Sequence, residues 1–263
     1  MRTFRLVLCL TFFAAAAVAQ PQEFSPFLLP LAPTSMQPGS HGSMWRVDFA
    51  VANESGTSLN LLTDASPPLQ CGPIATCAFQ VPPGATYAGV SLAVANPVVP
   101  ALLYSVRREV SPLAMSLRVT STPEGEEETR IPVVAEDELL TDPTSLVDVR
   151  MTSPRRRTLL RLYDVDPSPG SALRVRAYSF SGLLLADHVV PLLVPQQPSG
   201  GPAVFPGYAA VVLDASFFSV AQLNPDLPLR VRIDPMVPGQ RYWAMVSMTS
   251  NSTNHVTLVV PEP

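Results

Sequence analysis

The chain of 263 residues carries 17 basic side chains, all arginine, against 21 acidic ones, for a formal charge of −4. This mild acidity excludes a general nucleic-acid binder, which carries a basic domain. The 30 prolines and 13 glycines exclude a helix-rich fold.

Met1 to Ala19 reads as a secretory leader. Arg2 and Arg5 give the positive start, Leu6 to Val18 the apolar run, and Ala17-Val18-Ala19 the small-x-small cleavage site. Export to the periplasm, the cell surface or the medium follows. After Val18 no run of about 18 apolar residues occurs, so no transmembrane segment is expected in the mature chain. About 240 residues remain from Gln20 onward, enough for two domains. The absence of lysine reads as the codon bias of a GC-rich genome.

Residues 20–43 are rich in proline, serine and glutamine and read as an extended lead-in that need not be fully ordered. The first clear strand is Trp45-Arg46-Val47-Asp48-Phe49-Ala50-Val51. Its apolar residues share one face and its charges the other. Further strands are expected at 58–62, 78–81, 86–94, 101–107, 115–120 and 130–134, separated by turn signals such as Val81-Pro82-Pro83-Gly84. Cys9 leaves with the leader, so Cys71 and Cys77 are expected to close a short disulfide loop after export.

Acids concentrate from Glu124 to Asp148, and arginines follow at Arg150, Arg155 to Arg157, Arg161, Arg174 and Arg176. The domain boundary is expected in the acidic stretch, giving a first domain over 44–135 and a second over 136–263. In the second, Leu160-Arg161-Leu162-Tyr163, Leu173-Arg174-Val175-Arg176-Ala177-Tyr178 and Leu229-Arg230-Val231-Arg232-Ile233 place aliphatic residues inward and arginine outward, as antiparallel sheets with one wet face do. A helical turn is expected over 216–223, and a final hairpin pairs 242–248 with 255–260. The frequent short strands predict an all-β chain of two tandem immunoglobulin-like antiparallel β-sandwiches with at most one or two short helical turns.

No catalytic template fits, and no catalytic residue, metal ligand or cofactor is assigned. His41, His188 and His255 are not at metal-ligand spacing, and His188 reads as a surface residue. The nucleophile elbow Gly-x-Ser-x-Gly is absent. Asp164-Val165-Asp166-Pro167-Ser168-Pro169-Gly170 starts like a calcium loop, but Pro169 stands where glycine is needed and Val175 where the bidentate glutamate belongs. The arginines are the remaining candidates. Arg155, Arg156 and Arg157, with Arg174 and Arg176, form a possible patch for an anionic polymer, a glycan or a protein partner, and Tyr163, Tyr178 and Phe180 nearby offer stacking faces. The alternative is a solvated face that keeps sheet edges from pairing.

The segments LRLYDVD at 160–166, LRVRAYSF at 173–180 and YWAMVSMTSNSTNHVTLVVP at 242–261 resemble a group of uncharacterised exported bacterial proteins built from tandem immunoglobulin-like sandwiches. That resemblance implies a fold and supplies no site residues. Together these readings predict an exported, non-enzymatic protein acting in binding, adhesion or envelope structure. The alternative is a periplasmic assembly chaperone working by strand donation, which needs a basic anchor between its domains and an open apolar edge strand. A sandwich hydrolase, which needs paired carboxylates in a cleft, ranks third.

Overall fold

The computed structural model describes residues 24–38, 43–56, 58–61, 79–87, 101–107, 113–122, 128–195, 205–218 and 223–262. They form strands and turns, with one 3-10 turn at Glu136–Glu138, and every pair of strands is antiparallel. Cys71 and Cys77 lie outside the described residues.

The first half contributes β1 (Phe24–Leu29), β2 (Thr34–Pro38), β3 (Met44–Asn53), β4 (Leu59–Leu61), β5 (Phe79–Val81), β6 (Thr86–Tyr87), β7 (Leu102–Arg107), β8 (Leu113–Thr122) and β9 (Glu128–Ile131). Its main sheet runs β2-β3-β8-β9, with β6 also on β3; β1 pairs with β7, and β4 with β5. The period of two written in Trp45 to Val51 is realised in β3, where Phe49 and Val51 are buried and Arg46 is exposed. The lead-in is not a bare arm. It supplies β1 and β2, and Leu28 exchanges backbone hydrogen bonds of 2.9 Å with Val134 in both directions. Leu28 and Leu29 are both buried, so the end of β1 shows no alternation.

The second half contributes β10 (Thr144–Val149), β11 (Arg156–Asp164), β12 (Ala172–Ser179), β13 (Leu184–Pro191), β14 (Gly207–Val212), β15 (Leu229–Pro235), β16 (Tyr242–Ser250) and β17 (Val256–Val259). They form two four-stranded sheets, β10-β15-β12-β13 and β14-β11-β16-β17. The sheets pack face to face over Leu146, Leu160, Leu162, Val175, Val231 and Ile233, all fully buried. A register shift between Leu146 and Val149 puts Asp148 at φ 57, the left-handed region that aspartate tolerates better than most residues. Of the helical turn expected over 216–223, residues 219–222 lie outside the described residues; 216–218 belong to a turn in which the Phe217 N–H donates to the Asp214 carbonyl at 3.1 Å. The Asp214 carboxylate accepts from both the N–H and the hydroxyl of Ser216, and this local bonding competes with a helix.

The halves are not independent beads. Along β16, Tyr242, Ala244 and Val246 enter the core of the second half, while Trp243 and Met245 enter a core shared with the first. Tyr163 joins that shared core from β11, and its wholly buried hydroxyl donates to the carbonyl oxygen of Pro30 at 2.6 Å. Thr129 Oγ1 likewise donates to the Val256 carbonyl at 3.2 Å. The sheet β14-β11-β16-β17 is therefore a middle layer covered on both faces.

Candidate functional site

Where the sheet β2-β3-β8-β9 faces this middle layer, the packing is incomplete and leaves a cleft of about 380 Å³. Its first wall is Trp45, Val47, Val119 and Ile131, the inward positions of β3, β8 and β9. The opposite wall is the outward face of the middle layer, with Leu159, Met245, Val256 and Leu258 as its apolar members. Strand alternation fixes what else projects there. On β11, Thr158, Leu160 and Leu162 are buried on the inner side, so Arg157, Leu159 and Arg161 face the cleft.

Two guanidinium groups thus enter a mainly apolar space, beside the hydroxyls of Ser247 and Thr249. Arg161 Nη1 donates to Ser247 Oγ at 2.5 Å, whereas its Nε is buried without a hydrogen-bond partner among the described residues. Arg157 donates to Asn254 Oδ1 at 3.3 Å, and burial lowers its pKa. Burial pushes the Tyr208 hydroxyl up, and neighbouring Arg161 opposes that shift. Among the described residues, no carboxylate forms an ion pair with Arg157 or Arg161. Burying a cation without a counter-charge is unfavourable, and an incoming anion relieves that cost.

The arginines read as one patch are dispersed by the fold. Arg155 is exposed in the turn before β11. Arg156 projects away from the cleft, donating to the Pro225 carbonyl at 2.9 Å and pairing with Asp226 at 3.3 Å. Arg174 and Arg176 lie on β12, in the other sheet. There Arg174 grips Asp187 at 2.8 and 2.6 Å, and Arg176 grips Asp234 together with Arg232. Burial by itself would raise the Asp234 pKa, but the bonds from Arg176 and Arg232 outweigh it and hold the carboxyl below its ordinary range. Of the five arginines, only Arg157 reaches the cleft. Arg161, its companion there, is singled out by lying four residues further along the same strand face.

The other sequence candidates are internally engaged. Asp164 is 2% exposed and accepts from Gln240 Nε2 at 2.7 Å and from the Asp166 N–H at 3.0 Å. Asp166 is held by two bonds of 2.6 Å from Arg241. Both carboxylates of the calcium-like loop therefore have partners within the fold, and no group of three or more potential metal ligands occurs among the described residues. His188 is not a surface residue as expected. It faces inward, with Nε2 at 2.8 Å from the Phe217 carbonyl and its ring 4.7 Å from the Phe217 ring. The carbonyl oxygen can only accept, so Nε2 carries the proton and donates it. Tyr163, read as a stacking face, is buried between the halves, whereas Phe180 is 89% exposed at the β12–β13 turn.

No protein-family model matches the chain, and no curated protein does. Among solved structures, a chain of the T13 IBDV viral particle is similar at 11% identity over 92% of this chain and 74% of that one. The TM-score of that pair is 0.12, which carries no argument about fold or function.

Proposed function

We propose that this chain is an exported, non-catalytic binding protein that captures an anionic partner in the cleft between its two halves. The observation that carries this reading is the pair Arg157 and Arg161, both partly buried in an apolar cleft and without a carboxylate partner among the described residues. Among the described residues, the cleft lining includes no carboxylate, imidazole or thiol, which favours recognition over catalysis. The export reading and the Cys71–Cys77 disulfide rest on sequence. The two facing four-stranded sheets of the second half support an immunoglobulin-like reading of that half.

Strand donation is the second reading, favoured by the basic anchor between the halves and by β17, an edge strand beside it. Binding of the purified mature protein to an array of envelope polymers, glycans and apolar acidic peptides tests the cleft. We expect binding that falls with salt, is lost in the double variant Arg157→Gln/Arg161→Gln, and survives Arg174→Gln. Binding indifferent to the double variant would overturn the assignment of the cleft. A peptide bound only when its backbone can pair would select strand donation.

A further inference from the structure

We propose that the cleft is a site for a single-chain anionic amphiphile, with Arg161 and Ser247 holding the head group and the apolar walls holding the tail. The inference rests on the binding reading above and names the ligand class for it.

The backbone around the cleft carries the argument. The cleft is walled by sheet faces, and the strands that form those walls are bonded to neighbours. β11 pairs with β14 along one side and with β16 along the other; β16 lies between β11 and β17; β3 lies between β2 and β8; and β8 lies between β3 and β9. The edge strands β9 and β17 also line the cleft, through Ile131, Val256 and Leu258, but the free N–H and C=O groups of an edge point along the plane of the sheet and not out of its face, so few face an occupant lying between the sheets. An extended peptide lying here would bring its own amides into an apolar space with nothing to bond them, which is costly at each residue. An acyl chain has no such groups to satisfy. The polar lining is also sparse and confined to one wall, where Arg157, Arg161, Ser247 and Thr249 come from β11 and β16. A glycan, which needs hydrogen bonds around each ring, would find on the opposite wall of Trp45, Val47, Val119 and Ile131 a single side-chain donor, the Trp45 indole N–H, already given to Ser43 Oγ at 2.7 Å.

Arg161 is the better head-group anchor of the two. Its guanidinium lines the cleft, its Nη1 is fixed by Ser247 at 2.5 Å, and no carboxylate among the described residues pairs with it, so an anionic head group would supply the missing counter-charge. Arg157 lies about 13 Å away along the strand, by the rise of four residues. It is tied to Asn254 in the β16–β17 turn, at the cleft's end. The volume of about 380 Å³ falls within the range of small-molecule sites.

The probes are dodecanoate, dodecanol and an apolar acidic hexapeptide, all below any aggregation threshold. Binding is read by calorimetry and by the emission of Trp45, which lines the cleft. We expect saturable one-to-one binding of dodecanoate, with dodecanol bound about tenfold more weakly or worse. Arg161→Gln should weaken dodecanoate about tenfold or more, Arg157→Gln should weaken it less, and Arg174→Gln on the other sheet should leave it unchanged. Because Arg161→Gln can disturb folding, Val47→Phe provides a second route. It fills the cleft without touching either arginine and should abolish binding in a protein that still unfolds cooperatively. Equal binding of dodecanol and dodecanoate, or dodecanoate binding indifferent to Arg161→Gln, overturns the inference. Arg161-dependent binding of the peptide in place of dodecanoate overturns the lipid assignment and leaves the binding cleft standing. The absence of Arg161-dependent binding to these probes and to the polymer and glycan array overturns both readings.

Discussion

Tyr163→Phe removes one oxygen from the junction of the two halves and leaves the ring packing in place. The hydroxyl lies 2.6 Å from the carbonyl of Pro30, both residues are buried, and the ring keeps Tyr208 at 5.5 Å and Trp243 at 6.1 Å. The substitution forfeits the net worth of the bond and takes a donor from a buried carbonyl, together about 2 kcal/mol. For a chain of this size that corresponds to a fall of about 4–8 °C in Tm. Urea unfolding followed by tryptophan emission measures it well, because Trp243 lies in the same shared core. A loss below about 0.5 kcal/mol, the range of ordinary surface substitutions, would refute the claim that this bond joins the halves.

Asp234→Asn probes the charged face of the second half. The Asp234 carboxyl is held below its ordinary pKa, so its contribution is present above the normal carboxylate range and is lost as pH falls through the lower native value. The variant is expected to be less stable by about 1–2 kcal/mol at neutral pH and to converge with the parent in acid, as thermal melts across pH 2–7 would reveal. A constant gap across that range would sink the linkage. Gly182→Ala tests the β12–β13 turn. The glycine sits at φ +84 with nothing within 4 Å of an added Cβ, so the expected cost of about 1 kcal/mol is backbone strain alone. A neutral result in chemical denaturation would contradict that geometry.

The strands with one wet face were legible in the sequence because a period of two survives there: Trp45 to Val51, Leu173 to Tyr178 and Leu229 to Ile233 all fall in strands. Where both faces are covered the period fades. β1 reads as Phe-Ser-Pro-Phe-Leu-Leu, and β16 opens with Tyr242-Trp243-Ala244-Met245-Val246, buried throughout. That unbroken apolar run was the available sign of a middle layer. The site was legible only in fragments. Neighbouring arginines suggest a patch, yet the same alternation sends Arg156 and Arg157 to opposite faces. The acids that engage Arg174 and Arg176 lie 13 and 58 residues further along the chain, and only the sheet pairing brings them near.

The covered middle layer also sets an order of events during synthesis. The first half is made before the surface that shields its inner face exists. Pro30 waits 133 residues for Tyr163, and Leu28, Val119 and Ile131 share their core with Met245, later still. The second half, by contrast, has a core drawn from its own strands and can set as soon as it is complete. The amino-terminal part is thus the last to reach its final packing although it is the first to emerge. Until then its apolar residues are open to whatever escorts a nascent chain.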